Sequence, residues 1–132
     1  MDADCIEDIS PRAVVVLRIG DRAFYPHLEK NGSAEAFFEG LKAERIEFIL
    51  EGVSGHPIQF PIPFELDYDP SNCSASLGEI VLTSKDTVAL CIGPISGEFI
   101  RIARIDRPEE KGLLDALDGI DIPVSISLEW SE

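Results

Sequence analysis

One segment, residues 57 to 66, constrains the fold more than any other part of the sequence. Apolar side chains occupy every second position in it: Ile58, Phe60, Ile62, Phe64 and Leu66. This period of two predicts a β-strand with one face in a hydrophobic core. Backbone N–H groups at positions i and i+2 of a strand point the same way, so Pro61 and Pro63 remove donors from one side of it. We therefore expect the strand to lie at a sheet edge or at a break in the sheet.

Other apolar runs predict further strands. They span Arg12 to Ile19, Arg22 to Leu28, Ile46 to Leu50, Gly78 to Thr83, Thr87 to Ile92, Phe99 to Ile105, and Val124 to Leu128. The second of these runs would return beside the first as a hairpin. In the run that begins at Phe99, Arg104 falls on the same face as Ile100 and Ile102, which predicts a β-bulge near Ala103.

Two short helices are expected between the strands. The first has an apolar stripe at helical spacing: Ala34, Phe37, Phe38 and Leu41. Ser33 is the N-cap that this stripe predicts. The second helix would begin at Pro108 and bury Leu113, Leu114 and Leu117. About eight strands and two short helices predict a mainly β domain that forms a closed or nearly closed barrel.

Length and charge limit the organisation and the partners of the chain. With 132 residues it forms one domain, which we place at residues 11–132, after an acidic, flexible leader at residues 1–10. The formal net charge of −14 argues against binding to nucleic acid or to an anionic membrane, because both need clustered Lys and Arg. No apolar run approaches the ~20 residues of a membrane-spanning helix. We expect a cytoplasmic protein.

The sequence contains no pattern that indicates a metal, a cofactor or a catalytic centre. Its cysteines, Cys5, Cys73 and Cys91, have neither disulfide nor zinc-site spacing, and Cys91 is expected to be a buried apolar residue. No glycine-rich phosphate-binding motif occurs. The two histidines do not form a recognisable nucleophile–base pattern with a serine or an acid.

An acidic run after the proline-rich strand resembles the beginning of a calcium-binding loop. Asp67, Asp69 and Ser71 would occupy positions one, three and five of that loop. Position six is then Asn72 instead of glycine, and position twelve is Gly78 instead of glutamate, so the pattern fails. We expect a solvent-exposed set of carboxylates.

Several short stretches together resemble a family, the cyclophilin-like barrels of small, largely uncharacterised prokaryotic proteins. The stretches are Gly32–Leu41, Gly55–Pro63, Gly78–Ile80, Ala89–Pro94, Ile102–Ile105 and Gly112–Leu117. The resemblance implies a β-barrel with a helix at one end. True cyclophilins are prolyl isomerases, but here the segment Arg45–Leu50 stands where their catalytic arginine motif lies, and no arginine follows until Arg101.

The resemblance and the alternating strand together predict a ligand groove. We place it beside the strand that carries Pro61 and Pro63, with His56, Phe60, Phe64 and Arg101 as its residues. The expected function is non-catalytic binding of a small molecule or an extended peptide. Two alternatives stay open: a prolyl isomerase that uses Arg101, and an assembly protein that pairs through its open strand edge. A monomer is favoured over a homodimer.

Overall fold

The computed structural model describes residues 12–50, 57–118 and 121–131. The predicted leader and the predicted turn around Gly52–Gly55 lie outside these residues. Strands make up 49% of the model. The strands are β1 (Arg12–Ile19), β2 (Arg22–Phe24), β3 (His27–Leu28), β4 (Ile46–Leu50), β5 (Ile58–Pro61), β6 (Ser71–Ala75), β7 (Glu79–Ser84), β8 (Thr87–Leu90), β9 (Ile95–Arg104) and β10 (Ile122–Ser131). The helices are α1 (Gly32–Ala43) and α2 (Leu113–Ala116).

The strands form two antiparallel sheets. The first has the order β2-β1-β10-β4, and the second has the order β3-β9-β7-β8-β5, with β6 pairing the first half of β9. One sheet curls strongly into a half-barrel, but the barrel is not closed. The mainly β prediction is therefore confirmed, and the expectation of a closed barrel is corrected.

The opening has a physical reason in the proline-rich segment. The backbone N–H of Ile62 donates to the carbonyl of Asp86 at 2.9 Å, so Ile62 points toward the β7–β8 turn. Because strand residues alternate, the nitrogen of Pro61 points away from β8, where it has no hydrogen to donate. Pro63 lies in a bend directly after the strand. In the described residues β5 pairs only with β8, which confirms the predicted edge position. The strand itself ends at Pro61, short of the predicted Leu66.

Side chains, not backbone hydrogen bonds, connect β4 to β5. The rings of Phe48 and Phe60 stack with centroids 4.4 Å apart and an angle of 18° between their planes. Both rings belong to or pack against the main core. The two sheets therefore meet through an aromatic contact where a continuous ladder would otherwise close the barrel.

Both faces of the second sheet are buried. On β7 and β8, alternate side chains belong to the main core inside the half-barrel: Ile80, Leu82, Val88 and Leu90. Their neighbours Val81, Ala89 and Cys91 form a second cluster on the opposite face, with Ala75 of β6 and Phe99 of β9. We call these two sets the inner core and the outer cluster. The hairpin-like pair of β6 and residues 95–99 covers the outer face, and we call it the β6–β9 arm.

Helix α1 contributes a large part of the inner core. Ala34, Phe37 and Leu41 are buried along one stripe, as predicted, and Phe38 is half-buried against the core. The N-cap is Asn31, not Ser33, because the Asn31 side chain accepts from the Ala34 N–H at 2.7 Å. In the part of the chain that the structure describes, neither helix is long and apolar enough to span a membrane.

Three other local predictions meet mixed outcomes. A register shift between β7 and β9 leaves an extra residue between Arg101 and Ala103, which confirms the predicted bulge. The predicted hairpin after β1 is shorter, because β2 pairs with β1 whereas His27 and Leu28 pair with β9. The second helix is limited to Leu113–Ala116 and follows a turn. Leu113 and Leu117 are buried as predicted, but the prediction for Leu114 is wrong: it is 49% exposed, because so short a helix turns only one side to the core.

Candidate functional site

A groove of about 530 Å³ opens where the start of α1 faces β9 and the β6–β9 arm. Three parts of the chain line it: Glu29, Asn31, Gly32, Ser33 and Ala36 around the start of α1, Asp67, Asp69, Ser71 and Cys73 leading into and along β6, and Phe99, Ile100 and Arg101 on β9. We call it the α1–β9 groove. Its position follows from β9, which pairs with β6 through its first half and with β7 through its second.

Arg101 is the only Lys or Arg side chain among these lining residues. It is opposite Val81 on the outer face of the sheet, and half of its side chain is exposed. Its Nη1 lies 4.0 Å from Oε1 of Glu79, whose carboxylate also accepts from the Ser76 N–H at 2.8 Å. The Glu79 carboxylate is therefore held in place beside the Arg101 guanidinium. A guanidinium has five N–H donors, so this one contact leaves others available to a ligand.

Asn31 joins the helix to the strand that carries the arginine. Its Oδ1 accepts from the Ala34 N–H, and its Nδ2 donates to the backbone carbonyl of Arg101 at 2.9 Å. One side chain thus caps α1 and fixes the distance between the helix and β9. The first N–H groups of a helix lack partners within it, so Gly32 and Ser33 add potential donors to the same wall.

Three carboxylates also line the groove. Glu29, Asp67 and Asp69 line it, and in the described part of the chain none of them has a Lys or Arg partner within ion-pair distance. Tyr68 fixes the segment between the two aspartates by donating from its hydroxyl to the Glu98 carbonyl at 3.4 Å. The groove therefore offers a ligand both hydrogen-bond acceptors and hydrogen-bond donors.

The described residues offer no cluster of metal ligands, and Cys91 is not placed for thiolate chemistry. Across residues 12–50, 57–118 and 121–131, no three His, Cys, Asp or Glu side chains converge on a possible metal site. Cys91 is fully buried in the outer cluster. Burial, and to a smaller extent the charge of Glu79, raises the pKa of the Cys91 thiol to about 11. At neutral pH this sulfur stays protonated and is a poor nucleophile.

Three of the four residues of the predicted groove lie in the described part of the chain, at different places. His56 lies outside the described residues. Phe60 is 4% exposed in the inner core, and Phe64 packs edge-on against Phe37 with ring centroids 6.1 Å apart. Arg101 lies on β9, three strands from Phe60 across the sheet, a separation of about 14 Å at normal strand spacing. The structure does not bring Arg101 and Phe60 together, and a groove beside β5 stays a prediction.

Sequence reasoning missed the site's second strand element and its helix cap. The segment Ser71–Ala75 has a polar composition that does not indicate a strand, although β6 positions Ser71 and Cys73 at the groove. Asn31 carried a usable signal, because an asparagine directly before a helical stripe is a preferred N-cap. Asp67 and Asp69 were identified as an exposed acidic run, but their position at the same groove as Arg101 depends on long-range packing.

Comparison with known proteins adds no relative. The chain matches no protein-family model, no curated protein and no solved structure.

Proposed function

We propose that this chain is a cyclophilin-like domain that binds a small molecule or an extended peptide in the α1–β9 groove. The observation that carries the proposal is that Arg101, Asp67 and Asp69 line the same groove of about 530 Å³. That volume falls in the usual range for ligand sites, ~300–1,000 Å³. The family assignment rests on the resemblance in sequence and on the curled, mainly β architecture.

The charges of the groove favour a ligand with two kinds of polar group. The guanidinium of Arg101 suits a carboxylate or a carbonyl oxygen. The carboxylates of Glu29, Asp67 and Asp69 suit an ammonium or amide N–H. A peptide, or a small molecule with an amine at one end and a carboxylate at the other, meets both requirements. We place its carboxylate or carbonyl at Arg101 and its amine near the two aspartates.

An NMR titration with short peptides tests this proposal. The probes are the dipeptides Lys-Gly, Gly-Gly and Glu-Gly, which share a backbone and differ in side-chain charge. We expect the largest amide shifts at Gly32, Ser33 and Arg101, and the strongest binding for Lys-Gly because the groove is acidic. Absence of shifts at these three amides with every probe would refute the proposal.

Two arginines on the same strand provide a matched pair of variants. Arg101→Ala should abolish the shifts at Gly32 and Ser33. Arg104→Ala removes the same charge from an exposed position on β9 that does not line the groove, and it should leave binding unchanged. Equal effects of the two variants would mean that overall charge, and not the groove, controls the interaction.

A prolyl-isomerase assay tests the alternative that the resemblance implies. The half-exposed guanidinium of Arg101 is open to a peptide in the groove, which is the observation that favours this alternative. In a chymotrypsin-coupled assay with a proline-containing peptide, we expect only the uncatalysed rate. An acceleration that disappears in Arg101→Ala would replace binding with catalysis as the function of the groove.

A further inference from the structure

The chain has two asparagines, and one of them, Asn31, precedes a glycine. The sequence Asn-Gly is chemically labile. Glycine has no Cβ, so its backbone nitrogen can closely approach the side chain of the preceding asparagine. Asn72 precedes Cys73, whose side chain hinders the same approach. Asn31 is therefore the labile asparagine, and Asn72 serves as a slower-reacting control in the same chain.

The folded structure restrains the labile side chain at both of its polar atoms. The Oδ1 of Asn31 accepts from the Ala34 N–H at 2.7 Å, and the Nδ2 donates to the Arg101 carbonyl at 2.9 Å. The side-chain amide must leave both partners before its Cγ can turn toward the nitrogen of Gly32. Such a movement requires the first turn of α1 to open away from β9, a local event of the kind that helix ends undergo.

We propose that Asn31 is a site of spontaneous deamidation, and that opening of the first turn of α1 sets its rate. The backbone nitrogen of Gly32 loses its proton to hydroxide and attacks Cγ of Asn31. A bond from this nitrogen to Cγ forms, and the bond from Cγ to Nδ2 breaks. The side-chain nitrogen takes a proton from water, which returns the hydroxide, and leaves as ammonia. Water then opens the resulting five-membered imide at either carbonyl, giving aspartate or isoaspartate, so that one water is consumed for each ammonia released.

Either product changes the wall of the α1–β9 groove. An aspartate at this position still caps the helix, but its carboxylate cannot donate to the Arg101 carbonyl. An isoaspartate adds a carbon to the main chain at the N-cap, which displaces the cap from the Ala34 N–H. The modification needs no ligand, so it stands or falls independently of the proposed binding function.

Peptide mass mapping of the full chain measures the reaction. The protein is incubated at mildly alkaline pH, folded in buffer and unfolded in urea, and deamidation at Asn31 and Asn72 is followed with time. We expect conversion of Asn31 to be at least about fivefold slower in the folded chain, the factor that corresponds to one N-cap interaction. In the unfolded chain Asn31 should convert faster than Asn72.

Two controls make the result decisive. Gly32→Ala should slow conversion in the unfolded chain, and the folded structure leaves open space for the added methyl group. Hydrogen exchange of the Ala34 amide reports the same opening, so its protection should match the ratio of the unfolded and folded deamidation rates. Equal rates in the folded and unfolded chain would overturn the gating. Slow conversion of Asn31 in urea, or an unchanged rate in Gly32→Ala, would overturn the site itself.

Discussion

The inner core and the outer cluster bury opposite faces of the same strands, but they are built from different residues. The inner core contains large aromatic and branched side chains from both sheets and from α1. The outer cluster is formed by Val81, Phe99 and three small side chains, Ala75, Ala89 and Cys91, beneath the β6–β9 arm. The inner core therefore depends on the whole half-barrel, whereas the outer cluster depends on one arm. The α1–β9 groove lies along that arm, so its shape should be sensitive to the outer cluster.

The largest loss of stability is expected for a truncation in the inner core. Phe37 on α1 has no exposed surface and contacts Phe64. Phe37→Ala should lower the free energy of unfolding by ~3–5 kcal/mol, because it removes buried surface and leaves a cavity that rigid neighbours cannot fill. Urea unfolding followed by circular dichroism measures this change.

Phe38 provides the matched control on the same helix. Its ring is half-buried at the margin of the core, with the Nζ of Lys42 5.2 Å from the ring centroid. Phe38→Ala should cost clearly less than Phe37→Ala. Equal losses would show that the stripe on α1 does not face the core as described.

A truncation in the outer cluster should have a smaller effect on stability and a larger effect on the groove. Phe99→Ala is expected to cost about 3 kcal/mol, at the lower end for a buried ring, because the β6–β9 arm can settle into the space. Phe99 also lines the α1–β9 groove. The amide signals of Gly32 and Ser33 should therefore shift in this variant and stay in place in Phe38→Ala. A loss as large as that of Phe37→Ala would contradict the distinction between the two clusters.

Alkaline pH should weaken the outer cluster specifically. The pKa of Cys91 is raised from 9.0 to about 11 by burial and then by the charge of Glu79, so the unfolded chain releases this proton at lower pH than the folded chain. The contribution of the protonated Cys91 to the free energy of unfolding is therefore complete below pH 9 and is lost as the pH rises toward 11. The loss amounts to about 2 kcal/mol. The difference in unfolding free energy between the parent and Cys91→Ala should narrow across this range, and a constant difference would contradict the pKa shift.

Sequence periodicity predicted the elements that lie against the inner core. β1 has the predicted bounds, β4 has the predicted bounds, and the stripe on α1 faces the core as expected. In each case a regular apolar period reports burial on one face. The limits of β5 were not predictable in this way, because Ile62 and Leu66 continue the pattern after the strand has ended. Their N–H groups donate to the carbonyls of Asp86 and Lys85 at the β7–β8 turn, and the chain bends at Pro63 and Phe64 between them.

The candidate site was much less accessible from the sequence. Arg101 was identified from the missing arginine of the resembled family, and it does line the α1–β9 groove. Its neighbours were not identified, because β6 is polar and short, and its pairing with β9 is set by contacts between Ser71 and Phe99 that no local pattern encodes. The sheet switch at Tyr25–Pro26, which places Glu29 at the groove, is likewise a tertiary effect.

The smallest change in stability is expected at the edge of β5 that faces away from β8, which lies outside both clusters. The same change should have the clearest effect on association between chains. Pro61 and Pro63 are exposed, and neither has an N–H to donate to a neighbouring strand. Pro61→Val together with Pro63→Val should alter the free energy of unfolding by no more than about 1 kcal/mol. The double variant restores two N–H donors beside the outward N–H of Gln59, and it turns this side of the segment into a row of donors and acceptors that a second chain can pair with.

Light scattering in low and high salt distinguishes protection from assembly at this edge. If the prolines prevent pairing, the parent is monomeric in low and in high salt. In low salt a net charge of −14 also repels a second copy. The double variant then associates, most strongly in high salt, where screening weakens that repulsion. Pro94→Val changes an exposed proline outside the strands, and it should stay monomeric. A parent dimer that persists in low salt would show that the edge is an assembly surface, because the prolines would then shape an interface and not block one.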